Sequence, residues 1–325
     1  MNFDALVALL HEGVGDVNND NHIEGYAKIR HAYENGIRVA GNRLIDSMFF
    51  YYGIHDKLIE NYESQIKEGF FPPKESVALQ QEKIKEGFPS IALVTLPKSG
   101  SAYIANKMSK MFNLYQLLIS FRAFPYDYII PGLADIFAKG GLIYWSHLDA
   151  SPHNLETLYQ ANIRKIHLHI RDPRQATLSW AHHLEKETIG ISFIERFYTS
   201  PFIPEHYHTW PFERKLDWQI RTFLPQSIHW ILEWLNIAEH DDRFDVQISE
   251  FAQLKNNPDA VLHNIVTFYA FPTKLEHNFD YSTKKGKDHY RKGELNEWMD
   301  VFTEQQIRVA EDLVPDKLKK RFSWT

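Results

Sequence analysis

Two kinds of hydrophobic spacing divide the chain. Up to about residue 88, apolar residues recur at intervals of three and four. Leu6, Leu9 and Leu10 give a short amphipathic turn or two. Ile29, Tyr33, Ile37, Val39, Leu44 and Met48 continue the period over residues 23–52, with a break near Gly36 or Gly41. Residues 57–67 and 74–85 read as further helices, separated by Phe71-Pro72-Pro73, and Gly87-Phe88-Pro89 closes the region. From Ser90 the period changes. Residues 91–94 form an uninterrupted apolar run, the mark of a strand buried on both faces. Residues 102–112 return to helical spacing, 141–145 predict a second strand, 152–161 a helix, 165–170 a third strand and 173–187 a helix that opens on Pro173. Strand–helix alternation of this length predicts an α/β fold, a parallel sheet flanked by helices. Farther on, the spacing predicts one long helix over 214–238, a strand at 244–248 and helices at 259–269 and 304–313. The expected organisation is therefore a helical N-terminal extension, residues 1–88, followed by an α/β domain, residues 89–325. Residues 188–212, rich in aromatics, and the polar, basic residues 281–295 follow neither period. Long irregular segments in compact domains serve as lids or binding loops.

Composition narrows the function. The chain has 325 residues, 44% apolar and 24% charged, an ordinary globular balance. Its net charge of -6 argues against a generally basic nucleic-acid binder, so an anion site needs a local concentration of positive charge. The absence of cysteine excludes thiol nucleophiles, disulfides and cysteine-ligated metal. No apolar run reaches the ~18 residues that span a bilayer, and the N-terminus lacks the basic region of a signal peptide. The expectation is a cytoplasmic protein that engages neither membrane nor nucleic acid.

Four motifs carry chemistry. Thr95-Leu96-Pro97-Lys98-Ser99-Gly100-Ser101 stands between a strand and a helix. There, backbone amides, the helix dipole and the Lys98 charge suit a phosphate, and Gly100 lets backbone approach it closely. A plain strand-to-helix turn with a serine cap is the competing reading, and the GxxxxGK[ST] pattern of nucleotide triphosphatases is missing. Ile170-Arg171-Asp172-Pro173-Arg174 closes another strand, with Ser179 eight residues after Arg171. An arginine there points into the crevice where open α/β sheets bind ligands. An ion pair with Asp172 is the plainer role. Residues 284–293 set five basic residues, among them Arg291 and Lys292, against one acid and end on Gly293. They read as an anion-gripping loop or as a solvated charge run. His147, just past a strand, is placed to act as a general base near pH 7, although it is one of 17 histidines.

In this order the motifs resemble those of the sulfotransferases that use 3′-phosphoadenosine 5′-phosphosulfate (PAPS). The 5′-phosphosulfate loop of that family reads like TYPKSGT, here TLPKSGS. Its 3′-phosphate motif is an arginine with a serine eight residues on, as in Arg171 and Ser179. Its late loop carries Arg-Lys-Gly before a tryptophan, here Arg291-Lys292-Gly293 and Trp298. The resemblance covers residues 90–325. It implies a P-loop-NTPase-like sheet and sulfuryl transfer from PAPS, without metal, to a hydroxyl or amine of a small acceptor, polar or sugar-like. Carried over by residue, it implies that Lys98 stabilises the leaving group and that Pro97, Ser99, Gly100, Ser101, Ala102 and Tyr103 line the donor, with Tyr103 nearest an adenine. Arg171, Ser179, Arg291, Lys292 and Gly293 would hold the 3′-phosphate, and His147 would be the base. The chain departs from the family where Trp145 replaces a lysine two residues before that histidine and where Ser249 replaces an adenine-contacting tyrosine. A carbohydrate sulfotransferase, a nucleotide kinase or other P-loop NTPase, and a non-catalytic PAPS-binding module are the alternatives. Oxygen-bearing side chains at residues 16–24 also resemble a calcium loop, but Asn21 and Ala27 stand where such a loop needs Gly and Glu. The pairs His167/His169 and His182/His183 lack a third ligand at a telling spacing.

Overall fold

The computed structural model describes residues 3–18, 24–25, 28–29, 31–32, 63–69, 72–121, 124, 127–187, 204, 207–272 and 292–324. The chain divides into two compact units, Met1–Phe71 and Pro72–Thr325. In the first, helix α1 (Phe3–Asn18) buries Leu6 and Leu10, which lie one turn apart on one face.

The second unit holds the sheet. Its strands are β1 (Ile91–Thr95), β2 (Tyr115–Gln116), β5 (Leu142–Ser146), β6 (Lys165–Ile170) and β7 (Asp245–Glu250), arranged β2-β5-β1-β6-β7. Every neighbouring pair is parallel. Two further short strands, β3 (Ser120–Phe121) and β4 (Tyr128–Ile129), form a separate antiparallel pair. All five residues of β1 are buried, as its unbroken apolar run predicts. The strand–helix alternation of the sequence thus yields the expected α/β fold, a parallel sheet flanked by helices.

Helix α2 (Lys74–Lys85) lies in this unit. Its Gln80 amide donates to the carbonyls of Ile136 and Gly140, fixing it beside helix α4 (Pro131–Ala138). Helix α3 (Ser101–Phe112) buries Ile104, Ala105, Met108 and Phe112 against Ile91, Leu93 and Ile143 of the sheet. Helix α10 (Pro258–Phe268) adds Val261, Leu262, Ile265 and Val266 to the same core. Helix α5 (Pro152–Gln160) leads into β6, and α6 (Pro173–Glu187) follows it.

The long helix expected over 214–238 is instead two, α7 (Phe212–Arg221) and α8 (Phe223–His240), broken at Thr222, whose φ of -119° and ψ of -64° depart from regular helix. Pro225, three residues on, explains the break. It has no amide to donate to Arg221, and its ring crowds that carbonyl. Helix α9 (Phe251–Asn256) follows β7 directly, and α11 (Trp298–Val301), α12 (Glu304–Leu313) and α13 (Asp316–Phe322) complete the unit. None of the described helices is long and apolar enough to cross a membrane.

The strand order creates the crevice. After β1 the chain crosses beyond β5 to β2, whereas after β6 it moves the other way to β7. Successive connections therefore diverge at the carboxyl ends of β1 and β6, where open α/β sheets admit ligands.

Candidate active site

The loop between β1 and α3 is held from below. Leu96 N–H donates to the His169 carbonyl at 2.9 Å, and Ser99 closes a tight turn onto Leu96, through its amide at 3.2 Å and its hydroxyl at 2.7 Å. The Ser99 hydroxyl, a candidate ligand donor from the sequence, is therefore committed inside the loop. Two residues adopt left-handed backbone, Lys98 at φ +65° and Gly100 at φ +96°. Glycine is needed at 100 for space as well. A Cβ there would stand 3.0 Å from Leu254 Cδ2 and 3.5 Å from the Phe251 ring. Gly100 caps α3, and its carbonyl accepts from Tyr103 and Ile104. The amides of Ser101 and Ala102 have no acceptor within the helix and, with that of Gly100, rim the loop. Pro97 and Ser101 are buried, while Lys98 and Ala102 are half-buried. Tyr103 is half-buried too, with the Lys107 ammonium 5.7 Å from its ring centre.

His147 follows β5, next to β1. Its Nδ1 lies 2.8 Å from the Thr95 carbonyl and 3.2 Å from the Thr95 hydroxyl, which itself donates to the Ser146 carbonyl. A carbonyl only accepts, so Nδ1 carries the proton and the lone pair of the neutral ring sits on Nε2. The backbone around it is pinned at three points. His147 N–H donates to Asp127 Oδ2 at 3.1 Å, the Trp230 indole donates to the carbonyls of His147 and Leu148, and the Trp234 indole also donates to Leu148. Two aromatic rings stand edge-on to the imidazole, Phe124 at 6.1 Å and Trp145 at 6.5 Å between centres. Trp145 is itself fixed by an indole bond to Gln116 Oε1 at 2.9 Å. Beside this corner lie two buried aspartates, Asp127 and Asp149, and the Asn154 amide donates to the Asp127 backbone carbonyl at 2.7 Å and to Asp149 Oδ1 at 2.6 Å. Burial, together with the nearby Asp127 carboxylate, pushes Asp149 up to about 8.

Arg171 closes the other side of the crevice. Its guanidinium donates to the Lys98 carbonyl at 2.8 Å and to the Glu294 carbonyl at 2.5 Å, and lies 3.9 Å over the Phe251 ring. One side chain thus ties the loop to the segment that carries Lys292 and Gly293. The ion pair with Asp172 belongs to Arg174, not Arg171. Arg174 is fully buried, binds Asp172 through Nε and Nη2, pairs with Glu311 on α12, and covers the Trp298 ring at 4.3 Å. Trp298 N–H in turn donates to Gln175 Oε1 at 3.1 Å. Lys292 is exposed and paired with Glu297 at 2.9 Å, and Gly293 has φ +67°.

Lys98, Gly100, Ser101, Arg171, Lys292 and Gly293 are therefore linked through one crevice, with His147 joined to it through Thr95. Ser179 sits half-buried two turns into α6 and, among the described residues, makes no hydrogen bond to Arg171. Arg291, residues 188–203 and residues 281–290 lie outside the described residues. Of the calcium-like stretch, Asp16 and Glu24 pair with the Lys28 ammonium, at 2.7 and 3.3 Å, and the Asp16 bond leads in raising its pKa. His182 stacks on Phe212, and no cluster of metal-ligating side chains occurs among the described residues. The sequence names Thr95 and Ser249 without the bonds they make here, and it gives no sign of Asp127 or Phe251 at the site. Thr95 opens the loop motif, whereas the other three become site residues only through partners remote in sequence.

No family model matches the chain, and no curated protein matches it. Among solved structures, the chain is similar to the mouse sulfotransferase SULT7A1 complexed with PAP, at 15% identity over 76% of this chain and 92% of that chain, with a TM-score of 0.47.

Proposed function

We propose that the chain is a sulfotransferase that moves a sulfuryl group from PAPS to a hydroxyl or amine of a small acceptor. The observation that carries the reading is the meeting, at the carboxyl ends of β1, β5 and β6, of an amide-rimmed loop bearing Lys98, the buried Arg171, and a histidine whose lone pair is on Nε2. The donor set, the Lys98 ammonium with helix N-terminal amides, suits an anion. Lys98 and the amides of residues 100–102 would take the 5′-phosphosulfate, and Arg171, Lys292 and Gly293, joined by Arg291 and Ser179, the 3′-phosphate. Tyr103 is the candidate neighbour of the adenine.

The acceptor oxygen attacks sulfur in line, and the bond from sulfur to the bridging oxygen breaks. The acceptor proton passes to His147 Nε2, and adenosine 3′,5′-bisphosphate (PAP) leaves with the electron pair on the former bridge. Lys98 offsets the charge that develops there. Thr95 holds the imidazole in the base-competent tautomer, and Asp127 holds the backbone that carries it. Phe124 and Trp145, edge-on to His147, offer apolar walls that suit an aromatic ring or the C–H face of a sugar.

Incubation with PAPS and a panel of phenols, amino sugars and simple glycosides tests this reading. PAP should be released in step with a sulfated product. His147→Gln should lower turnover by about 10²–10⁴-fold while PAP affinity stays within about twofold. Undiminished turnover in that variant would remove His147 as the base, and absence of any PAPS-dependent product across the panel would contradict the activity.

A further inference from the structure

Beneath the loop runs a chain of polar side chains that sulfuryl transfer does not use. His167 and His169, two residues apart on β6, share a face of the sheet, and Ser249 of β7 is the register partner of His169. All three are buried. Gln247 Oε1 lies 2.9 Å from His167 Nδ1, His167 Nε2 lies 2.8 Å from Ser249 Oγ, Ser249 Oγ lies 2.7 Å from His169 Nδ1, and His169 Nε2 lies 2.8 Å from the Ser99 carbonyl.

Proton bookkeeping orders this chain. The Ser99 carbonyl only accepts, so His169 Nε2 carries a proton, and the neutral ring then accepts at Nδ1 from the Ser249 hydroxyl. The Ser249 oxygen accepts in turn from His167 Nε2–H, and His167 Nδ1 needs a donor. Turning the Gln247 amide end for end supplies it, because the two ends of an amide are assigned by their partners. Only the 3.2 Å bond from Gln247 to the Asn264 carbonyl at the exposed edge is given up. The alternative puts an extra proton on one imidazole, in a fully buried site with Arg171 as the facing cation. Burial holds His167 down to about 4, and burial, the neighbouring His167 and Arg171 hold His169 down to about 3.

A trans peptide points its carbonyl and the following N–H in opposite directions. Fixing the Ser99 carbonyl on His169 therefore turns Gly100 N–H away from the sheet. We propose that His169 is the positioning residue of the loop, its tautomer set by Ser249 and His167, so that the Gly100 amide is presented to a bound phosphate. This rests on reading residues 97–103 as a phosphate cradle.

The test has two arms. Long-range ¹⁵N–¹H NMR of the imidazoles in the wild-type chain at pH 7 should show His167 and His169 neutral and protonated on Nε2. A proton on His169 Nδ1 alone, or an imidazolium, would overturn the chain. Titration calorimetry with PAP forms the second arm. Ser249→Ala should weaken binding about five- to tenfold, and Ser249→Thr, which keeps the hydroxyl, should restore it. His169→Leu should weaken binding at least as much, and His169→Gln, which keeps a donor near Nε2, should recover most of it. Equal PAP affinity in folded Ser249→Ala and wild type would also overturn the proposal. If His169→Leu fails to fold, the Ser249 pair and the NMR arm still decide. Wild type that shows the Nε2 tautomers but binds no PAP would refute the cradle reading and, with it, the positioning role.

Discussion

Lys98 adopts left-handed backbone at φ +65°, where an L-residue carries roughly 1–2 kcal/mol of strain. Strain of that kind is retained where surrounding bonds over-determine it. Here Arg171 grips the Lys98 carbonyl, and the Ser99 turn follows at once. Lys98→Gly should therefore leave the fold as stable as wild type or up to about 1 kcal/mol more stable, by urea unfolding, while abolishing most turnover. Lower stability in that variant would show that the lysine side chain supports the fold. The same loop shows what was legible at this scale. Lys98, Gly100 and Arg171 could be named as candidates because strand-end position and residue chemistry are local properties. The commitment of the Ser99 hydroxyl to Leu96, and the attachment of Asp172 to Arg174 rather than Arg171, depend on rotamers that spacing does not encode.

Among the elements, β1 was legible because an unbroken apolar run has few other uses. β2 was not, since two residues carry no period. The split between α7 and α8 had its signal in Pro225, outweighed by a continuous hydrophobic face. The His167–Ser249–His169 chain was out of reach, because its partners come together through the pairing of β6 with β7 across 80 residues of sequence. A second such joint holds the late segment. Arg174 binds Asp172 beside it and Glu311 on α12, and it covers Trp298, four residues after Glu294, whose carbonyl Arg171 engages. Removing one partner of a buried ion pair leaves an uncompensated charge and costs about 3–5 kcal/mol. Arg174→Leu should lose about that much in urea unfolding and should also weaken PAP binding, by loosening residues 292–298. A loss below about 1 kcal/mol would mean that the triad adds nothing net to the fold.

For the whole molecule, three buried groups set opposing pH limits. His167 and His169 titrate near 6.5 when unfolded but are held down to about 4 and about 3 in the fold, so their contribution is complete above 6.5 and lost as pH falls toward those values. Asp149 titrates near 3.8 when unfolded and about 8 in the fold, so its contribution is complete below 3.8 and lost as pH rises to about 8. Between about 4 and 6.5 the unfolded chain binds one more proton than the native one, from two histidines less one aspartate. Between 6.5 and 8 it binds one fewer. These groups place maximum stability near pH 6.5, with limbs of about 1.4 kcal/mol per pH unit. Asp149→Asn should flatten the alkaline limb in denaturant titrations, and an unchanged limb would show that Asp149 is ionised in the fold. We propose the crevice between β1 and β6 as the site of a nucleotide bearing phosphate at both its 3′ and 5′ positions. Its most direct test is calorimetric titration with adenosine 3′,5′-bisphosphate beside AMP, which lacks only the 3′-phosphate, and ATP. Charge-assisted bonds of about 1.5–3 kcal/mol at the 3′ end predict that the bisphosphate binds roughly 10–100-fold more tightly than AMP and outcompetes ATP. Equal affinity for the bisphosphate and AMP, or preference for ATP, would contradict the account.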